Sequence, residues 1–306
     1  MDLKGLLTGL LALFIISLLV FYWIFPFGKT TFKVDTNSEF NVGNISTQMQ
    51  FYKNMRFPTT SISYKIEDNC SLEKKNEMTD AFNYLQNLTL LRFYPVDTTE
   101  DVTVSCDNEV IPSDSGKGFF VAGEGGPTKV IPGENFYTIL QGKILLLKSS
   151  NCERPNIEIH ELLHVLGFDH SKNSNNIMYP ISDCSQTIGS EIPSKINEIY
   201  SFPSYPDLKL SNISATLGGR YLDINLTIEN IGLSSSTGEK ILIYGDNDLL
   251  KEKNFEGLEI GERLIIQFTN IFVSKIKVEE LNVSVETNGS ELSLKNNQIS
   301  LTGFSG

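Results

Sequence analysis

Histidine is scarce in this 306-residue chain, which has only three, and its four cysteines include no C-x-x-C pair. That spacing excludes the closed thiolate zinc sites built from such pairs. Cationic groups are also in deficit: 25 Lys+Arg stand against 37 Asp+Glu, a formal net charge of −12. Nucleic-acid binding needs cationic surface to displace counterions, so no nucleic-acid partner is expected. There is no collagen-type glycine period and no heptad run. With 40% hydrophobic and 20% charged residues, the chain is too apolar for disorder. Its length suits two domains of ordinary size.

One long apolar run is present. Gly5 to Gly28 carries no charge, and Leu6 to Phe25 is almost wholly apolar. Twenty helical residues span roughly 30 Å, the thickness of a bilayer's hydrocarbon core. The run is longer than a signal-peptide h-region and ends in Trp23, Pro26 and Phe27 without a small-residue cleavage site. Residues 1–28 therefore read as an uncleaved transmembrane anchor rather than a cleaved signal. Lys4 before the run and Lys29 and Lys33 after it do not decide orientation. Cys70, Cys106, Cys152 and Cys184 are even in number and widely spaced, which suits two disulfides and an extracytoplasmic location. Asn-x-Ser/Thr sequons at Asn44, Asn69, Asn87, Asn212, Asn225, Asn282 and Asn288 add weak support for exposure to glycosylation machinery.

Residues 29–60 are polar and without period, and read as a stalk or linker. Residues 61–202 mix periods. Ser61 to Ile66, Asp101 to Ser105 and Lys143 to Leu147 alternate as strands, and Phe119 to Ala122 forms another inside a glycine-rich stretch. Met78, Ala81, Phe82, Leu85 and Leu88 mark a helix over Ser71 to Thr89. Asn156 can cap a helix over Ile157 to Leu166 that Gly167 ends, and Pro193 to Ser201 gives a last helix. After the Phe202-to-Pro206 linker, residues 207–306 show only short alternating strands punctuated by glycine, the texture of an all-β sandwich. The fold class expected is α+β followed by the sandwich, behind the N-terminal transmembrane helix.

All three histidines fall in His160-Glu161-Leu162-Leu163-His164-Val165-Leu166-Gly167-Phe168-Asp169-His170. On a helix, His160 and His164 share one face, and two imidazoles so placed can meet one Zn²⁺. Glu161 is displaced around the helix, so it reaches a zinc-bound water rather than the metal. Gly167 permits a positive φ that turns the chain back, and His170 supplies a third nitrogen. Three neutral ligands leave the fourth position vacant, as a catalytic site requires.

Beyond this motif comes Asn176-Ile177-Met178-Tyr179-Pro180, with Met178 eight residues after His170. HExxHxxGxxH followed by such a Met-turn resembles the metzincin metalloendopeptidases. His170-Ser171 and Met178-Tyr179-Pro180 are similar to the matrixins, the matrix metalloproteinase family (peptidase family M10). Astacin- and serralysin-type relatives have a tyrosine where this chain has Pro180. The resemblance covers roughly Ser61 to Ser201. It implies a zincin-like domain with a twisted mixed sheet, a catalytic zinc on His160, His164 and His170, Glu161 as general base, and Met178 as an apolar floor. A protein or peptide substrate would lie along the Gly118-to-Ala122 edge strand, touching Phe120, Val121, Ala122, Tyr179 and Pro180. The disulfide pairs expected are Cys70–Cys106 and Cys152–Cys184.

Departures from the family matter. No histidine remains for the second, structural zinc of many matrixins. Asp107, Asp114 and Glu124 are candidates for Ca²⁺. The family's Pro-x-Tyr pocket wall becomes Pro180-Ile181-Ser182. Residues 207–306 resemble CARDB-type, immunoglobulin-like modules through Ile228 to Gly232, Gly257 to Glu262 and Asn296-Asn297, which implies a surface ligand for the sandwich. The function expected is a single-pass membrane endopeptidase with its catalytic domain outside the cytoplasm. The competing reading is an adhesion protein that binds peptides without cutting them; the presence of all four chemically required residues speaks against it.

Overall fold

The computed structural model describes residues 3–24, 29–34, 49–108, 111, 121–148, 152–275 and 277–305. Two compact units emerge: residues 43–205 with 231–234, and residues 1–42, 206–230 and 235–306. Helix α1 covers Leu3–Ile24 and strand β1 covers Lys29–Val34. On α1, side chains are described for Lys4 and residues 7–21. Leu7, Leu11, Phe14, Ile15, Leu18 and Phe21 are between 48% and 67% exposed, so the helix is apolar all round. Among the described residues no helix is long and apolar enough to cross a membrane.

The motif-bearing unit contains β2 (Met55–Arg56), β3 (Ser61–Ile66), α2 (Leu72–Leu88), β4 (Arg92–Pro95), β5 (Val102–Cys106), β6 (Gly123–Pro132), β7 (Tyr137–Leu146), α3 (Asn156–Val165) and α4 (Glu191–Tyr200). The sheet order is β2-β7-β5-β3-β4, all parallel, with β6 antiparallel to β7. Parallel strands need crossovers, and α2 supplies the one between β3 and β4. Ser71 caps α2 by accepting from the Lys74 N–H. Met78, Ala81, Phe82 and Leu85 then bury one face of the helix. Across from them Ile62, Val102, Val104, Ile144, Leu162 and Leu163 are 0% exposed. Each such side chain contributes roughly 1.5–3 kcal/mol of transfer free energy.

Two disulfides staple this unit. Cys70–Cys106 joins the residue before the α2 cap to the end of β5, and Cys152–Cys184 joins the segments flanking α3. With sequence separations of 36 and 32, each removes about 4 kcal/mol of chain entropy from the unfolded state in the loop-closure picture.

Three local expectations are corrected. The strand expected over Phe119 to Ala122 is displaced: Val121 and Ala122 lie outside any strand, and the edge strand is β6. Phe120 and Asp114 lie outside the described residues. A glycine run has no side-chain alternation, so its strand has no readable period. Asn156 does not cap α3; it is the first helical residue, and its Nδ2 donates to the Asp183 carbonyl instead. Finally, residues 29–60 are not a stalk over their described parts. Met55, Arg56 and Phe57 are buried in the motif-bearing unit.

The second unit contains β8 (Leu208–Gly218), β9 (Tyr221–Asn230), β10 (Glu239–Gly245), β11 (Asp248–Phe255), β12 (Arg263–Phe272), β13 (Glu280–Glu286) and β14 (Gln298–Ser305). Its strands run in the order β11-β10-β13-β14-β1-β8-β9-β12. Leu222, Ile224 and Ile228 of β9 and Ile241, Ile243 and Val283 of β10 and β13 share one core, so the sheet closes over itself as a β-sandwich. Within it β1 pairs antiparallel with β14 on one side and β8 on the other, and Phe32 enters the core. Burial of that ring and two ladders of hydrogen bonds explain why a polar segment is drawn into the sheet.

Candidate active site

Helix α3 is buried along most of its length, with Ile159, Leu162, Leu163 and Val165 at 0% exposure. The apolar residues anchor it in the core, and the i, i+4 spacing brings His160 and His164 to one face. Gly167 ends the turn with φ +91°, and a Cβ there would come within 2.6 Å of the Met55 Cβ. Only glycine meets both demands. The chain then returns through Phe168 and Asp169 to His170, whose N–H is held by Asp169 Oδ1 at 2.7 Å.

The three rings converge. His164 Nε2 stands 3.0 Å from His160 Nε2 and 3.2 Å from His170 Nε2. His160 Nδ1 donates to the Ile177 carbonyl at 2.7 Å, and His164 Nδ1 donates to the Phe168 carbonyl at 2.8 Å. A carbonyl can only accept, so these bonds place the neutral ring's proton on Nδ1 and leave Nε2 a bare lone pair. Burial and mutual repulsion push His160 down to about 4, and burial first of all lowers His164. Both rings are thus neutral at neutral pH. Two lone pairs facing each other at 3.0 Å repel unless a cation lies between them. Tetrahedral ligands at about 2.0–2.1 Å stand roughly 3.3 Å apart, so the donor set fits Zn²⁺.

The Met-turn supports this arrangement. Ile177 supplies the carbonyl for His160, and the next residue, Met178, is 1% exposed. The Ser171 N–H donates to the Met178 carbonyl, tying the turn to the residue after His170. Asn176 Oδ1 accepts from the Met178 N–H.

Glu161 is 6% exposed beside the histidines. Burial pushes its carboxyl up to about 8, a hydrogen bond from the Gly125 N–H opposes this, and the neighbouring Glu124 and Glu158 reinforce it. A divalent cation nearby favours the ionised form. The Gly125 contact depends on a missing side chain: a Cβ there would lie 2.3 Å from the Glu161 carbonyl oxygen. Glycine is therefore what lets β6 run against α3.

A cleft of about 620 Å³ contains His160, Glu161, His164 and His170. Of the expected substrate contacts, Val121, Ala122 and Pro180 line it and Tyr179 does not. Ile181 and Ser182 of the expected pocket wall also line it, as do Phe51, Gly123, Gly125 and Ile157, which were not anticipated. The glycine-rich stretch was a signal for Gly123 and Gly125. Phe51 gave none; its ring stacks on His164 with centroids 5.7 Å apart. Asp107 and Glu124 belong to no cluster of three or more His, Cys, Asp or Glu ligands among the described residues.

Glu158, one turn before Leu162, is fully buried. Burial, then the adjacent Glu77 carboxyl, raise it to about 8, against a lowering backbone hydrogen bond and Lys74. A folded-state value above the usual 4.5 means stability present below pH 4.5 is lost as pH rises toward 8. Glu158→Gln should remove that loss. Urea unfolding of both proteins from pH 5 to 9 should show the variant gaining on the wild type with pH; parallel curves would contradict the assignment.

The matrixin family model matches residues 56–200. No curated protein sequence matches the chain significantly. Among solved structures, the chain is similar to high choriolytic enzyme 1, a hatching-enzyme zinc protease of the medaka Oryzias latipes. Identity is 19%, the match covers 37% of this chain and 46% of that one, and the TM-score is 0.25. A CARDB domain from Pyrococcus furiosus matches at 18% identity over 33% of this chain and 96% of that one, with a TM-score of 0.27. The chain spans less than half the length of the hatching enzyme. Residues 56–200, which carry the three convergent imidazoles and the adjacent carboxylate, match the matrixin family, and the site they form is that of a zinc metalloendopeptidase.

Proposed function

We propose that this protein is a membrane-anchored endopeptidase that hydrolyses peptide bonds of proteins outside the cytoplasm, with Glu161 as its general base. The observation that carries the reading is the meeting of three Nε2 lone pairs beside a buried carboxyl in one cleft. Zinc held by His160, His164 and His170 would act as a Lewis acid that polarises the scissile carbonyl and acidifies water. A Glu161 carboxylate oxygen accepts the proton of the attacking water and returns it to the departing amine nitrogen. The Gly125 N–H fixes that carboxylate's orientation. Val121 to Gly125 line the cleft where β6 begins, so an extended peptide can pair with this strand's backbone. Phe51 and Ile157 add apolar surface to the same cleft.

The anchor rests on α1, whose large apolar side chains are exposed on every side; such a surface is stable only in an apolar medium. Two disulfides favour an oxidising compartment. The β-sandwich would serve as a binding module for a surface ligand.

Incubating the purified full chain with an unfolded protein should give internal cuts. A chelator should stop cutting and added Zn²⁺ should restore it. Cutting that persists in chelator, or trimming from the ends alone, would contradict the proposal.

A further inference from the structure

Residues 49–52 clasp the loop that leads from α3 to His170, and the proton transfers of hydrolysis do not use them. Gln50 pairs antiparallel with Phe168. The Phe51 N–H donates to the Gly167 carbonyl at 2.9 Å, and the Asp169 N–H donates to the Met49 carbonyl at 3.1 Å. The residues on either side of Phe51 are anchored separately. Gln50 is 6% exposed, and its Nε2 donates to the Met55 carbonyl at 2.9 Å. The Tyr52 ring stacks on Tyr137 with centroids 4.8 Å apart and planes 8° apart. Phe51 is thus held in place without being buried. It stays 40% exposed, lines the cleft, and lies against His164 with 20° between the ring planes. Core packing alone would cover the ring. A fixed, half-open aromatic face in a cleft is a preformed surface for an apolar group.

Its place along the cleft decides which group that is. Ile157, His160 and His164 share one face of α3, and the seven residues from Ile157 to His164 advance about 10 Å along the helix. Ile157 and Ser182 mark one end of the cleft, where Asn156 Nδ2 donates to the Asp183 carbonyl. Phe51, against His164, marks the other end. An extended peptide advances about 3.4 Å per residue, so about three residues cover the distance. A chain whose scissile bond lies at the histidines therefore sends side chains from opposite sides of that bond to the two ends.

We propose that Phe51 is a specificity-determining residue, an assignment that rests on the endopeptidase reading. It receives a large apolar side chain, aromatic or aliphatic, from the side of the scissile bond opposite the one that meets Ile157 and Ser182.

The test uses the zinc-loaded full chain in detergent and Ala/Ser peptides that each carry one Phe, Leu, Lys or Asp at a varied position. Mass spectrometry of the fragments places that residue relative to the cut. The wild type should favour Phe or Leu over Ala by at least about 10-fold in kcat/KM at one position on the Phe51 side, chiefly through KM. Phe51→Ala should bring that ratio within about threefold and leave zinc content unchanged. Ile157→Ala should alter preference on the opposite side of the cut and not on this one. Phe51→Lys should turn the same position toward Asp, which serves as the readout if Phe51→Ala folds poorly. The same peptides should bind the Glu161→Gln protein, measured by fluorescence anisotropy, with the same Phe51-dependent ratios. Phe51-dependent binding of peptides that the wild type does not cut would sink the endopeptidase reading and leave Phe51 as a ligand-selecting residue. No apolar preference in either assay would overturn the proposal. So would an equal loss of kcat/KM for every peptide in Phe51→Ala, or a change on the Ile157 side instead.

Discussion

Replacing Glu161 with Gln should lower kcat by about 10²–10⁴-fold, the range for loss of a positioned acid–base group. The side chain is buried against β6 and close in shape to glutamine, so the fold should persist. Its carboxylate is not among the three convergent ligands, so zinc content should stay at the wild-type level. That pairing of results separates a proton carrier from a metal ligand, whose loss would lower both. KM should change little, since the carboxylate acts on the proton and not on the bound chain. A variant that keeps more than about a tenth of wild-type kcat would remove Glu161 from the general-base role.

Gly125→Ala should be nearly as damaging, although it adds only one methyl group. The new Cβ would lie 2.3 Å from the carbonyl oxygen of Glu161, 2.8 Å from its carbonyl carbon and 2.9 Å from its Cα. These are backbone atoms of a buried helix and cannot rotate away. β6 must therefore retreat from α3, which costs about 1–3 kcal/mol and withdraws the N–H that orients the carboxylate. A displacement near 1 Å at such a site costs on the order of 10²-fold in rate. Gly126 is the control: a Cβ there meets nothing within 4 Å, so Gly126→Ala should be close to neutral. Equal activities for the two variants would show that the contact between β6 and α3 does not position the site.

What the sequence disclosed follows from how local each determinant is. The pairing of His160 with His164 is a property of one helical turn, and Gly167 and His170 lie within the next six residues. Helix α2 was legible because Met78, Ala81, Phe82 and Leu85 repeat at helical spacing. Strand β1 was not, because its segment is polar around Phe32 and its partners lie nearly 200 and 270 positions away. No local period records such pairing. Phe51 reaches His164 through the same kind of long-range return, sealed by its N–H to the Gly167 carbonyl. The start of β6 was misplaced because Gly123, Gly125 and Gly126 carry no alternation, yet the missing side chains of Gly123 and Gly125 are what admit the strand to α3.

Zinc content of the purified chain, measured by mass spectrometry for the wild type and for His160→Ala/His164→Ala, tests the centre of this account most directly. One zinc per wild-type chain and none in the double variant is the expected result. A metal-free wild type, or equal zinc in both proteins, would contradict it.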